Sequence, residues 1–319
     1  MAAFFILAVG CLYPLLSPPE SQIAFVPPAA LIAGILLALT LGNPYPNESK
    51  KVSKTLLQAA VVLLGFSMDL QKILDAGLQG LAFALASITS VFVLGYGLQK
   101  VLKVRPLTAL LVSTGTAICG GSAIAAMSSV TDAPQEDVSV AVGTVFLLNA
   151  VALVLFPPLG HAIGLSPDQF GIWAGIAIHD VSSVVGAATA YGGGSLETAT
   201  AVKLSRVLYL VPIVLLTAFW LNRAPDAQGP TTNVQRPPIP WFIFLFLLAS
   251  LLRTAFPPIQ TLAPSIKLVA VSGFSLSLFL IGAGITLKTL KNVGIRPLLL
   301  GVVLWAFMSV AALFAARQT

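Results

Sequence analysis

Apolar residues run along this chain in long continuous stretches, not in alternation and not in narrow helical stripes. Eleven such runs can be marked, roughly at 2–17, 26–42, 53–70, 77–99, 106–130, 137–160, 168–190, 196–221, 239–256, 262–288 and 295–316. A hydrocarbon layer about 30 Å thick takes about 20 residues of helix to cross, so each run has the length and character of a membrane-spanning helix. The strands of a membrane barrel would alternate, and these do not. Prolines punctuate the pattern at Pro18-Pro19, Pro44, Pro106, Pro134, Pro157-Pro158, Pro167, Pro237-Pro238, Pro257-Pro258 and Pro297. One long polar stretch, Asn222–Pro240, is rich in Pro, Thr and Gln and reads as a flexible surface linker. The pattern predicts an all-α polytopic membrane protein of about 11 transmembrane helices.

Composition agrees. Of 319 residues, 57% are hydrophobic and only 9% are charged, against about 25% charged in soluble domains. The net charge of +6 does not point to nucleic acid, because the basic residues sit in short loops between apolar runs. With the amino end inside and the runs alternating, the inner loops hold Lys50, Lys51, Lys54, Lys100, Lys103, Arg105, Arg223, Arg236, Lys288, Lys291 and Arg296. The outer side holds Lys72 and Arg317, with Glu20, Asp69, Asp75, Asp132, Glu136, Asp137 and Glu197. That is a strong positive-inside bias, with the carboxyl end outside. Arg253 and Lys267 lie near run ends and can snorkel. The first run lacks a basic leader and a small-residue cleavage site before Pro18, so it reads as a retained helix. Cys11 and Cys119 both sit in apolar runs, which argues against a disulfide.

Two stretches break the pattern. In the fifth run, Cys119-Gly120-Gly121-Ser122 stands where a helix should continue. Adjacent glycines in mid-helix cost about 1 kcal/mol each relative to alanine. Within lipid, unwound backbone is tolerated only where protein or a watery cavity satisfies it. One reading is a discontinuous helix whose second half starts near Ser122 and points free N–H groups at an anion. The other is close helix packing through small residues.

In the seventh run, His179-Asp180 is followed by Ser182 and Ser183, and the eighth carries Lys203 and Arg206 at i, i+3. Ionisable residues inside a span are functional candidates by default. His179 and Asp180 suit coupling to protons, or through Asp180 to sodium; Ser182 and Ser183 can donate to an anion. One buried acid for two bases leaves a positive charge over, which suits an anionic substrate. The structural alternatives are a buried hydrogen-bonded pair at His179-Asp180 and a Lys203 that snorkels toward Glu197. Ser272, Gly273 and Ser275 in the tenth run are a further candidate for a second broken helix. His161 reads as an interface residue. No phosphate-binding loop, nucleophile elbow, zinc motif or cysteine cluster is present, so neither an enzyme nor a resident metal or cofactor is expected.

Leu64-Gly65-Phe66-Ser67-Met68-Asp69-Leu70, with Gly77 following, is similar to Ile281-Gly282-Ala283-Gly284-Ile285-Thr286-Leu287, with Gly294 following. The first leaves the membrane outward and the second inward, as an inverted repeat would. A division into one extra helix (1–25), a first repeat (26–161) and a second (162–319) pairs the fifth run with the tenth. The similarity pairs the third with the tenth, so the two disagree on register.

The segments GTAICGGSAIAA (115–126), GIWAGIAIHDVSSVVGAA (171–188) and AVKLSRVL (201–208), with LGFSMDL and IGAGITL, resemble the YeiH-like sulfate exporter family of bacterial inner-membrane proteins. Relatives often carry Thr-Ala-Gln after the His-Asp pair, where this chain has Val181-Ser182-Ser183. The resemblance implies a place in the cation:proton antiporter and anion transporter superfamily. It further implies inverted repeats, crossing discontinuous helices, separate core and scaffold parts, dimers and a multi-pass location in the bacterial inner membrane. The expected function is secondary transport of a small anion (sulfate, sulfite or an organic sulfonate) by alternating access. A sodium-coupled carboxylate symporter and a non-transporting scaffold or sensor subunit are the alternatives. Lipid and the anion are the expected partners.

Overall fold

The computed structural model describes residues 2–15, 26–68, 70–222, 241–284 and 294–319. Linker residues 223–240, Asp69, Ile285–Leu287, Lys288 and Lys291 lie outside the described residues, as does the Pro18-Pro19 boundary. The described regular elements are all helical: α1 (Ala2–Gly10), α2 (Val26–Thr40), α3 (Pro46–Gly65), α4 (Leu70–Leu102), α5 (Pro106–Ala117), α6 (Gly121–Thr131), α7 (Gln135–Ala162), α8 (Pro167–Ala177), α9 (Val181–Tyr191), α10 (Ser195–Val207), α11 (Leu210–Asn222), α12 (Trp241–Ala255), α13 (Pro257–Ala283) and α14 (Ile295–Arg317). A short 3₁₀ turn, Tyr13–Leu15, follows α1. Among the described residues, five helical stretches are long and apolar enough to cross a membrane: Phe83–Leu102, Gln135–Ala162, Ser195–Phe219, Pro257–Ala283 and Ile295–Arg317.

Prolines open α3, α5, α8 and α13, where a missing N–H breaks no helical bond. Pro157-Pro158 does not end its helix as the sequence suggested, since α7 continues to Ala162. The eighth run is two helices, because Pro212 cannot donate to the carbonyl of Leu208 and the helix restarts at Leu210.

The helices pack as two groups. Helices α2, α3, α12 and α13 form one, with α13 lying along both α2 and α3, and α12 along α3. Two glycines permit this. A Cβ on Gly65 would lie 2.5 Å from the Phe246 carbonyl oxygen of α12, and one on Gly282 would lie 2.5 Å from the Leu31 carbonyl oxygen of α2. These are the aligned glycines of the two similar segments, and each brings its helix onto a neighbour's backbone in the same way. Ser277 Oγ also donates to the Ser53 carbonyl, 3.0 Å away, tying α13 to α3. The other group comprises α4 to α11 and α14. Here Trp173 of α8 stacks on Phe156 of α7, centroids 4.2 Å apart, and its Nε1 donates to the Ser309 carbonyl of α14 at 3.0 Å.

Within this second group the two broken runs do not continue across. Each doubles back. In the first, Gly115 of α5 packs on Ile124 of α6 across the turn 118–120. The start of α5 meets the start of α7: Thr108 donates to Asp137, and Arg105 Nη1 lies 3.1 Å from Glu136 Oε2. In the second, Tyr191 at the end of α9 donates to the Leu165 carbonyl just before α8 and stacks on Phe170, centroids 3.8 Å apart. His161 stacks on the other side of Tyr191 at 4.1 Å. Discontinuous crossing helices are therefore corrected to helical hairpins, α5–α6 and α8–α9. At 1.5 Å per residue, halves of 12 and 11 residues reach about half a bilayer. The tenth run is not broken at the predicted place: α13 is continuous through Ser272, Gly273 and Ser275, and the two serine hydroxyls donate back to the carbonyls of Leu268 and Val271.

Candidate functional site: two hairpin tips

The hairpins correspond position by position. Gly115, Ala117, Ile118 and Ser122 recur as Gly175, Ala177, Ile178 and Ser182, at one constant offset. At the base of the first, Thr108 bonds Asp137; at the base of the second, Thr198 Oγ1 donates to Asp168 Oδ1 at 2.7 Å, from the matching helices. The tips meet. A Cβ built on Gly120 would lie 3.3 Å from the Cβ of Asp180, and these two residues are themselves matched in the offset.

The helix starts beyond the two tips are finished differently. Asp180 is the N-cap of α9: Oδ1 accepts from Ser182 Oγ at 2.6 Å and from the Ser183 N–H at 2.8 Å, and Oδ2 accepts from Ser183 Oγ at 2.7 Å. Gly120 is the N-cap of α6 and offers no side chain, with φ +67°. The first N–H groups of α6 therefore have no carboxylate of their own, and a helix start of this kind favours negative charge.

The cations sit at the other end of the break. Lys203 Nζ donates to the Ile118 carbonyl at 3.3 Å. Arg206 Nη2 donates to the Ala117 carbonyl at 2.6 Å, and Nη1 to Ser87 Oγ of α4 at 3.0 Å. Both side chains are fully buried. They cap the carbonyl end of α5, where the helix dipole is negative. No ion pair joins Asp180 to either of them among the described residues. Lys203 does not snorkel; Glu197 pairs instead with Lys267, Nζ to Oε1 at 2.7 Å.

His179 is buried, its N–H donating to Asn149 Oδ1 of α7 at 2.9 Å. Both His179 ring nitrogens, Asn149 Nδ2, Thr116 Oγ1 and Arg206 Nε find no hydrogen-bond partner among the described residues. Cys119, at the first tip, is a buried free thiol. Thus Cys119, Gly120, Gly121, Ser122, His179, Asp180, Ser182, Ser183, Lys203 and Arg206 gather around the tips. Ser272, Gly273 and Ser275 lie on α13 in the other helix group. Asn149 and Ser87 were not singled out from sequence. Asn149 was the most findable, as an amide in the middle of an apolar run.

The outer faces of the second hairpin halves differ. On α6, Ser122, Ala125 and Ser129 are exposed; the matched Ser182 and Val185 of α9 are buried, and Thr189 is partly so.

A polytopic helical membrane protein with paired hairpins is the class these features define. A sequence model of the family described as "Conserved hypothetical protein 698" matches residues 2–301, and the chain belongs to that family. A UPF0324 membrane protein of Bacteroides thetaiotaomicron is 44% identical over 289 residues, covering 90% of this chain and 85% of that protein. One from Bdellovibrio bacteriovorus is 42% identical over 313 residues, covering 98% and 93%. One from Geobacter sulfurreducens is 41% identical over 288 residues, covering 90% of each. No solved structure matches.

Proposed function

We propose that the chain is a secondary transporter of a small anion, carried across a bacterial inner membrane by alternating access. The observation that carries this reading is the contact of the two hairpin tips at Gly120 and Asp180. Broken helices that expose backbone at mid-depth, flanked by buried ionisable groups, suit a transport site and suit little else in lipid.

The arrangement favours an anion. Around the tips stand two buried cations and one carboxylate already held by three donors. The substrate's charge would lie at the start of α6, with the backbone N–H groups of Gly121 and Ser122 and the Ser122 hydroxyl as donors. The unpartnered polar atoms of His179, Asn149, Thr116 and Arg206 are groups that a polar ligand or its water would satisfy; left alone, each costs about 1–3 kcal/mol. Asp180 is occupied as a cap, so proton coupling falls to His179. No chemistry is performed on the substrate.

The hairpins and the charges together support one membrane topology for this reading. Eleven runs with two doubling back reverse the direction of α7 alone. Asp132, Glu136 and Asp137 then join Lys103 and Arg105 on the inner face, consistent with the Arg105–Glu136 pair. Glu197 and Lys267 share the outer face. The same reading supports one repeat register. The unit α2, α3, α4, α5–α6, α7 matches α12, α13, α14, α8–α9, α10–α11 with opposite orientation, the second unit being circularly permuted. This pairs the third run with the tenth, as the two similar segments require, and the earlier division at residues 161 and 162 then separates the units only in chain order.

The test is uptake by proteoliposomes of labelled sulfate, sulfite and small organic sulfonates, with and without proton and sodium gradients. Saturable uptake of one of them is expected. The absence of any transported or thermally stabilising anion would sink the proposal.

A further inference from the structure

Glu197 lies in the first turn of α10, and Lys267 lies on α13. Their ion pair, 2.7 Å from Nζ to Oε1, joins the two helix groups at one face of the protein. The constant offset that matches the two hairpins also matches the starts of α7 and α10, Gln135 and Ser195, and places Asp137 opposite Glu197. The register that matches Gly65 with Gly282 places Lys50 opposite Lys267. The other face therefore carries the same two charges at equivalent positions. There they are apart: Asp137 accepts from Thr108 and lies 3.5 Å from Arg105 Nη1, while Lys50 is exposed and forms no ion pair with a described residue.

We propose that Lys267–Glu197 and Lys50–Asp137 are paired gate latches that close in turn, one on each side of the substrate site. The proposal rests on the alternating-access reading. In this structure the outer latch is closed and the inner one open. The hairpins agree with that state. Helix α9 is packed against the other helix group, where a Cβ on Gly186 would lie 3.1 Å from Leu278 and 3.6 Å from Pro27. On α6 the matched positions Ser122, Ala125 and Ser129 are exposed, while Ala126, which matches Gly186, is buried. Asp137 borders a half-open pocket of about 220 Å³ that also meets Lys103, Arg105 and Arg296. Closing the inner latch thus means that Lys50 enters beside Arg105, while Glu197 releases Lys267. Both members of the outer pair are about a third exposed (37% and 30%). Such pairs hold weakly, as a contact broken in every cycle must.

The test uses the full chain in membranes, with Cys11 and Cys119 replaced by alanine, and two cysteine pairs: Lys267→Cys with Glu197→Cys, and Lys50→Cys with Asp137→Cys. Each pair is treated with a short bifunctional thiol reagent and then combined in one four-cysteine chain. Each pair is expected to cross-link alone, and locking the first is expected to reduce cross-linking of the second to background. Failure of Lys50→Cys/Asp137→Cys to cross-link, in protein whose single cysteines still label and which elutes as a single species, would overturn the proposal. So would cross-linking of both pairs in one molecule. The cross-linking readout needs no substrate and uptake is measured on the chain that keeps Cys119, so anion uptake without alternating cross-links rejects the latch and leaves the transport reading standing. Alternating cross-links without uptake of any tested anion do the reverse.

Discussion

Gly120 and Asp180 occupy matched positions in two hairpins and touch across the tip contact, a Cβ on the glycine falling 3.3 Å from that of the aspartate. One is a capped helix start and the other an uncapped one. The backbone at Gly120, φ +67° and ψ −128°, lies where side chains are disfavoured. Gly120→Ala should cost of order 1–3 kcal/mol and abolish anion binding. Gly121→Ala, inside helical geometry with only the Phe146 ring to displace, should be milder on both counts. Melting temperatures with and without anion separate the two.

Lys203 and Arg206 both hold the end of α5, but by different means. Lys203→Met replaces a single 3.3 Å bond with an apolar chain of similar length. It should leave the fold within about 1 kcal/mol, because removing a buried charge that has no ion-pair partner relieves its desolvation cost and offsets the lost bond to the Ile118 carbonyl, yet remove uptake. Arg206→Lys loses one of two short bonds and should destabilise by about 2 kcal/mol, the scale of a hydrogen bond to a charged group. Normal uptake by Lys203→Met would reject its place in the anion site.

Fold-back of the first hairpin has a plain consequence for labelling. Cysteines placed at Lys103 and at Ala133, at opposite ends of α5–α6, should react with a membrane-impermeant maleimide from the same side. Reaction from opposite sides would mean that the segment crosses the membrane.

Tyr191→Phe removes the bond to the Leu165 carbonyl and keeps the ring stack on Phe170 and His161. A loss of about 1 kcal/mol is expected, read as a lower melting temperature with uptake intact.

Gly65→Ala and Gly282→Ala should destabilise alike, each by about 1–3 kcal/mol, because each forces a methyl into a carbonyl 2.5 Å away. A large effect at one and none at the other would count against the repeat register.

The helical, membrane-spanning character of the chain was legible because lipid leaves few options for long apolar runs. The positions of both breaks were legible too, from Gly120-Gly121 and His179-Asp180. Which way the chain goes after a break was not. A pair of half-helices adds up to the length of one crossing helix, and residues at a turn do not say whether the second half continues or returns. The acids at Glu136 and Asp137 gave little warning, since acidic residues contribute little to orientation. The sequence does carry one sign of two equivalent turns: the recurrence of Gly115-x-Ala117-Ile118 as Gly175-x-Ala177-Ile178, with Ser122 as Ser182. The partners of Lys203 and Arg206 could not be foreseen, because they are backbone carbonyls that only the fold-back presents.

Two half-depth hairpins meeting at their tips also shape the electric field. If the chain transports as proposed, water must reach the tips from each side in turn, and most of the membrane voltage would then fall across the short distance around the contact between Gly120 and Asp180. Each uncompensated charge that passes it exchanges about 2.3 kcal/mol per 100 mV, close to a fiftyfold concentration ratio. In a cell whose interior is negative, an anion moving alone between these tips is driven outward, and one taken inward has to bring compensating positive charge with it.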